Sequence, residues 1–202
     1  SGVFQTPTGL SIKGGRPTQS SLLLEGANMT DPGSGAAPFR LPSDAVQSVT
    51  VFPSPYSVEF GRFSSGVTVL ETRHGGATWP ARLDNFIPSL RTRRAQPLSV
   101  LGIERFGPRV LVGGPLLRDR LFLSQSAEYR YEGVYAWSRP ETDLRETHGI
   151  NTFTRVDANL ANGSHLQVSM NVLSQDVTGV NMDTFTPPEV AASLEEQVVS
   201  VV

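Results

Sequence analysis

From Leu121 onward the chain alternates. In "LFLSQSAEYRYEGVYAW" the odd positions Leu121, Leu123, Gln125, Ala127, Tyr129, Tyr131, Gly133, Tyr135 and Trp137 are mostly apolar or aromatic. The even positions between them include Ser124, Ser126, Glu128, Arg130 and Glu132. A period of two over about 17 residues predicts one strand ~56 Å long, at ~3.3 Å per residue. An ordinary strand has about 5–6 residues. Tilted by about 45°, this one still rises ~40 Å, more than the ~25 Å apolar band of an outer-membrane barrel. Its aromatics gather toward one end, as in an interfacial girdle.

Two more alternating segments follow. Thr152, Thr154, Val156, Ala158 and Leu160 interleave with Phe153, Arg155, Asp157 and Asn159. Leu166, Val168, Met170 and Val172 interleave with His165, Gln167, Ser169 and Asn171. Asn162-Gly163 between them is a strong hairpin signal. The other connections, Ser138 to Gly149 and Ser174 to Ser193, are longer. Long, short, long is the rhythm of a transmembrane barrel, and a soluble sandwich can produce it too. On pattern alone both architectures stand.

The first part reads differently. Leu22-Leu23-Leu24 is a short apolar run closed by Glu25-Gly26, and Thr30 to Pro42 is loop chemistry. Ser43 is placed to cap a helical turn over Asp44 to Gln47, followed by strands at Ser48 to Phe52 and Gly66 to Thr72. Residues 1–76 are therefore expected to form a small mixed α/β unit. Residues 77–120 have little periodicity and many arginines, among them Arg91, Arg93 and Arg94. They are expected to be a connection with a solvated basic surface, or a segment contacting another domain or lipid headgroups.

Composition narrows the function. Of 202 residues, 38% are apolar and 18% charged, with a formal net charge of −2, so no basic signature points to nucleic acid. Every basic residue except Lys13 and the histidines is Arg. The absence of Cys excludes disulfides and Cys-ligated metals. No apolar run is long enough for a transmembrane helix. The chain opens and closes inside apparent elements, so it is expected to be an internal piece of a longer protein.

The glycines of "YSVEFGRFSSGVTVLETRHGG", Tyr56 to Gly76, raise the question of chemistry. Gly61 and Gly66 have Walker-loop spacing, but Val67-Thr68 stand where Lys and Ser/Thr belong. Ser64 and Ser65 do not form the G-x-S-x-G of a nucleophile elbow. His74, His148 and His165 are scattered, and Glu25, Asp31, Glu59 and Glu71 lack metal-loop spacing. No catalytic residue, metal site or cofactor is expected, and the chain is not read as an enzyme. Gly in a strand pattern marks a bulge, a bend or a close backbone approach instead.

Three stretches, in order, resemble the plug of a TonB-dependent outer-membrane transporter: "LSIKGGRPTQSSLLLEGANMTDP" (Leu10 to Pro32), "LPSDAVQSVTVFPSPYSVEFG" (Leu41 to Gly61) and "GRFSSGVTVLETRHGG" (Gly61 to Gly76). "GIERFGPRVLVGGPLLRDRLFLSQSAEYRY" (Gly102 to Tyr131) resembles the entry to the barrel in large transporters of the Oar-like kind. The chain departs from the family pattern in three places. Glu25 replaces Asp before Gly26, Lys13 replaces the first plug Arg, and Pro53-Ser54 replaces the second Arg and its Gly.

The resemblance implies an α+β plug over residues 1–76, an Arg-rich connection over 77–120, and the first antiparallel strands of an incomplete transmembrane β-barrel over 121–202. It implies a Gram-negative outer-membrane receptor that takes up a scarce siderophore, cobalamin, glycan or peptide. A TonB-type energy-coupling protein would pull on a box upstream of Ser1. Plug-locking residues would be Lys13, Arg16 and Arg62. Structural glycines would be Gly14, Gly15, Gly26, Gly61, Gly66, Gly75 and Gly76. Asp31, Ser34 and Arg40 would face the ligand. The partners would be the coupling protein, the ligand and outer-membrane lipid, with no nucleic acid. The competing reading is a secreted or cell-surface β-sandwich binding module.

Overall fold

A computed structural model describes residues 3–6, 9–12, 14–16, 19–31, 40–53, 65–93, 96–136, 139–161 and 163–202. The chain divides into two compact units, Ser1–Arg73 with Val202, and His74–Val201. Both are built almost wholly of strands.

In the first unit, β1 (Val3–Thr6) and β2 (Gly9–Ile12) form an antiparallel pair. A four-stranded sheet is made of β3 (Ser20–Leu24), β4 (Ala27–Asn28), β5 (Val46–Phe52) and β6 (Gly66–Thr72), in the order β4-β3-β6-β5. β3 and β6 run parallel, and β5 pairs antiparallel with β6. Glu25 and Gly26, with φ of 51° and 85°, turn β3 into β4. Two successive positive φ angles are what a two-residue type I′ hairpin requires. Ile12, Leu24, Ala45 and Val67 are buried among Ser21, Thr68 and Thr72.

The expected helical turn is corrected. Only a 3-10 turn, Ser43–Ala45, forms; Pro42 occupies its N-cap position and no side chain caps it. The chain is already extended at Val46, where β-branched Val46, Val49 and Val51 favour the strand. The mixed α/β expectation for this unit gives way to a β-rich one.

The second unit is one eight-stranded antiparallel sheet. Its strands are β7 (Ala81–Asp84), β8 (Ser89–Arg93), β9 (Gln96–Phe106), β10 (Arg109–Leu117), β11 (Leu121–Tyr135), β12 (Leu144–Asn159), β13 (His165–Val180) and β14 (Ala192–Val201). β9 and β10 both lie along β11. Phe106 faces Tyr131 and Arg109 faces Glu128, three residues on in one strand and three back in the other. The two are therefore one long strand, interrupted but not shifted by Gly107-Pro108. Proline lacks an N–H for the ladder, yet Pro108 still accepts from the Tyr129 N–H at 3.1 Å. β7 and β8 pair in turn with β10 and β9, with register shifts along β8 and β9. At that interruption the Asn85 side-chain amide donates to the Gly107 carbonyl at 2.8 Å.

Residues 77–120, expected as an Arg-rich connection with little periodicity, are mostly strand among the described residues, paired into the same sheet as β11. Counting each interrupted strand once, the sheet is a meander of long strands. The connections 118–120 and 160–164 close one end, and 136–143 and 181–191 the other. The Asn159 N–H donates to the Arg120 carbonyl at 2.7 Å, so the two short turns are neighbours. At the second, the Leu160 N–H meets the Ser164 carbonyl and Gly163 has φ of 82°; Asn162 lies outside the described residues. The long connections are shorter than expected, because β12 begins at Leu144 and β13 runs to Val180.

Candidate functional site

The faces of the second sheet carry the functional signal. On β13, Leu166, Val168 and Met170 are 53%, 44% and 41% exposed, while Ser169 and Asn171, at alternate positions, are 2% and 3%. On β12, Asn151, Phe153, Arg155 and Asp157 are buried, while Ile150 is exposed. On β11, Ser124 and Ser126 are the buried positions. Polar residues predominate on the buried side and apolar residues on the exposed side, the reverse of a soluble sheet.

Register extends the exposed face across the strands. Leu83, Val110, Ala127, Thr152, Val172 and Val199 stand in one row; Leu123, Val156 and Val168 stand in another. Within this face the Thr154 hydroxyl donates to Gln125 at 2.5 Å. On β12 the band runs from Ala158 to Ile150, ~26 Å along the strand at ~3.3 Å per residue and about 20 Å in height at a ~40° tilt. At the long-connection end it meets Tyr129, Tyr131 and His148. The Tyr129 hydroxyl lies 3.1 Å from His148 Nδ1, and the Tyr131 and His148 rings are 5.0 Å apart. At the short-turn end it meets Arg118, Asp119, Arg120, Asn159 and His165.

The opposite face is held by polar pairs. Arg155 donates through Nε to both Asp157 oxygens at 3.0 Å and through Nη2 to Gln167 at 3.1 Å. Asn171 Nδ2 donates to Asn151 Oδ1 and to the Thr152 carbonyl, both at 2.9 Å. The hydroxyls of Ser126 and Ser169 are buried without a hydrogen-bond partner among the described residues. Such unsatisfied groups are few in ordinary cores.

Segment 74–80 wraps the edge of this sheet. A Cβ on Gly75 would stand 2.5 Å from the Leu123 carbonyl oxygen, and one on Gly113 would stand 3.7 Å from the Gly75 Cα. A Cβ on Gly114 would collide with the Trp79 ring. Neighbouring residues of a strand face opposite sides, so the chain passes from the Gly113 face to the Gly114 face. Gly76 has open space around its Cα.

In the first unit, a Cβ on Gly66 would lie 2.8 Å from Ile12 Cγ2 and 2.9 Å from the Phe52 carbonyl oxygen; one on Gly15 would collide with Ser65. The Gly15 N–H donates to the Ile12 carbonyl at 3.0 Å. Gly15 and Gly66 thus come together around fully buried Ile12. Gly14 and Gly26 have φ of 77° and 85° with open space around them, so backbone conformation is what favours glycine there. Glu25 accepts at Oε1 from the Thr72 N–H at 2.5 Å and from its hydroxyl at 2.8 Å, fastening the hairpin to the end of β6.

Arg16 is exposed, and its N–H donates to Gln19 Oε1 at 2.9 Å. Asp31 is half-buried and Arg40 exposed. Lys13, Ser34, Gly61 and Arg62 lie outside the described residues. No group of His, Cys, Asp and Glu among the described residues is placed to hold a metal ion, and no helix among them is long and apolar enough to cross a membrane. Arg91 was named in the sequence only as part of a basic run, and the Arg155–Asp157 pair was not singled out. The second had a readable signal: opposite charges two residues apart in a strand share a face.

No family model matches the chain, and no solved structure matches it. Among curated proteins it is similar to the TonB-dependent transporter Oar of Myxococcus xanthus, 27% identical over 124 residues. The match covers 56% of this chain and 12% of that protein. The similarity is distant and partial, and it is to a transporter.

Proposed function

We propose that the chain is part of an outer-membrane active transporter of the TonB-dependent kind. The first unit is the plug, and the second is the opening run of a transmembrane β-barrel. The observation that carries the reading is the reversed sheet, with a polar buried face and an apolar exposed band bordered by tyrosines. A barrel that faces lipid outside and water inside needs that arrangement. The short and long connections at opposite ends and the distant similarity to a transporter support it.

On this reading the barrel begins near Ala81, not at Leu121, because β7 to β10 share the sheet. Open strand edges cannot be left in hydrocarbon, so further strands follow β14 in the whole protein. The whole protein takes up a scarce ligand, of the siderophore, cobalamin, glycan or peptide class. A TonB-type protein in the inner membrane supplies the work. The chain carries out transport rather than bond-making chemistry.

The test is the extended reading frame, expressed in a Gram-negative host. Recovery in the outer-membrane fraction, with ligand uptake that stops when the proton gradient is collapsed, is expected. A frame ending shortly after Val202, or recovery as a soluble protein, overturns the reading.

A further inference from the structure

We infer that Arg91 forms the centre of a phosphate site for a lipid headgroup, on the apolar face of the second sheet beside its tyrosine belt. The inference rests on the membrane reading above. Arg91 lies on β8 opposite Gly102 and is only 9% exposed. Its guanidinium stacks over the Tyr135 ring, 5.3 Å from the centroid. The Tyr135 hydroxyl in turn donates to the Thr92 carbonyl at 3.0 Å, which fixes the ring.

Two glycines make the shelf on which the guanidinium lies. A Cβ on Gly102 would stand 3.4 Å from Arg91 Nη2, and one on Gly133 would stand 3.5 Å from Nη1 and 3.0 Å from the Tyr131 hydroxyl. The position is built, yet the charge in it is unanswered. Nε and Nη1 are buried with no hydrogen-bond partner among the described residues. The nearby acids are engaged: Glu146 accepts from Tyr131 at 3.0 Å, Glu132 from Arg105 at 3.0 Å, and Glu141 lies 3.8 Å from Arg93.

A guanidinium cannot escape burial by losing its proton, and an unpaired buried charge is costly. A guanidinium held in this way is a binding position for an anion. The planar fork of Arg matches the oxygens of a phosphate. Position selects the source. Tyr129, Tyr131, Tyr135 and Arg91 share the face that continues down into Ala127, Leu123 and Leu121, so the guanidinium stands where apolar band gives way to polar surface. Lipid phosphates lie at that level, with their acyl chains along the band.

The test uses the full-length protein, purified in a maltoside detergent and observed by native mass spectrometry. It is titrated separately with phosphatidylglycerol, with diacylglycerol of the same chains, and with inorganic phosphate. The unaltered protein is expected to retain one phosphatidylglycerol at about a tenfold lower concentration than diacylglycerol, as one charge-assisted contact supplies, and to retain no inorganic phosphate. Arg91→Gln is expected to remove the difference, and Arg93→Gln to leave it. Equal retention of the two lipids by the unaltered protein overturns the site, with no variant needed. So does a preference that survives Arg91→Gln. Inorganic phosphate held as tightly as the lipid overturns the lipid assignment. A protein found in the outer membrane without this preference overturns this inference alone, whereas a soluble protein overturns the transport reading as well.

Discussion

Arg155 grips both carboxylate oxygens of Asp157, two residues further along the same strand, at 3.0 Å each. The two side chains are only 9% and 5% exposed. Asp157→Ala would remove from a buried site the carboxylate that Arg155 contacts through both Nε and Nη2. The expected loss is roughly 3–5 kcal/mol, and replacing both partners together by apolar residues should cost less. Urea unfolding of the folded protein in detergent measures both. An unchanged midpoint in Asp157→Ala would refute the assignment.

Adjacent glycines should behave in opposite ways. Gly75→Ala puts a methyl 2.5 Å from the Leu123 carbonyl oxygen, which is backbone and cannot rotate aside, so a loss of about 1–3 kcal/mol is expected. Gly76→Ala meets open space and should be neutral or slightly stabilising, by at most about 1 kcal/mol. Thermal melts of the two variants compare them directly. Equal effects would contradict the path described for segment 74–80.

A charge on the exposed band separates a membrane wall from a soluble sheet. Met170→Arg at the middle of the band should cost about 2–4 kcal/mol if lipid lies against it, and should block insertion into vesicles. In water the same change at a 41% exposed position would be tolerated. Folding yield in lipid vesicles, read against the unaltered protein, decides.

The connection 181–191 should loosen in acid. Asp183 accepts at Oδ1 from the Phe185 and Thr186 N–H groups, both at 2.8 Å. These two bonds hold its pKa below the ordinary value of 3.8. A depressed folded-state pKa contributes order that is present above the unfolded value and lost as pH falls through the folded one. Hydrogen exchange at the Phe185 and Thr186 amides, corrected for intrinsic rates, should accelerate only below the usual carboxylate range. Asp183→Asn, which does not titrate, should show no such step, and a step that persists in it would exclude Asp183 as the cause.

The strands β11 to β13 are legible in the sequence because one face stays polar while the other stays apolar for many residues. β7 to β10 are not. Pro108 and Pro115, with Gly102, Gly107, Gly113 and Gly114, interrupt the alternation, and arginines occupy both faces: Arg91 lies with the tyrosines, Arg105 with Glu132. The start of β12 is hidden because Glu146 and His148 stand on its otherwise apolar side, where they meet Tyr131 and Tyr129. Glycines needed for close approach could be suspected, but their partners could not. Gly15 meets Ser65, and Gly75 meets Leu123, across separations that leave no local trace. Ser43 misled because a good capping residue cannot impose a helix on the valines that follow it.

The uninterrupted register across Gly107-Pro108 has an evolutionary corollary. Which side of the wall each residue of β9 occupies depends on whether the number of residues in that break is odd or even. Changing the identity of Gly107 or Pro108 leaves that parity alone. Inserting or deleting a single residue inverts it, turning Arg105 toward the tyrosines and Phe106 toward Glu132, unless a second change nearby restores it. Length variation in this part of the gene should therefore occur in steps of two codons.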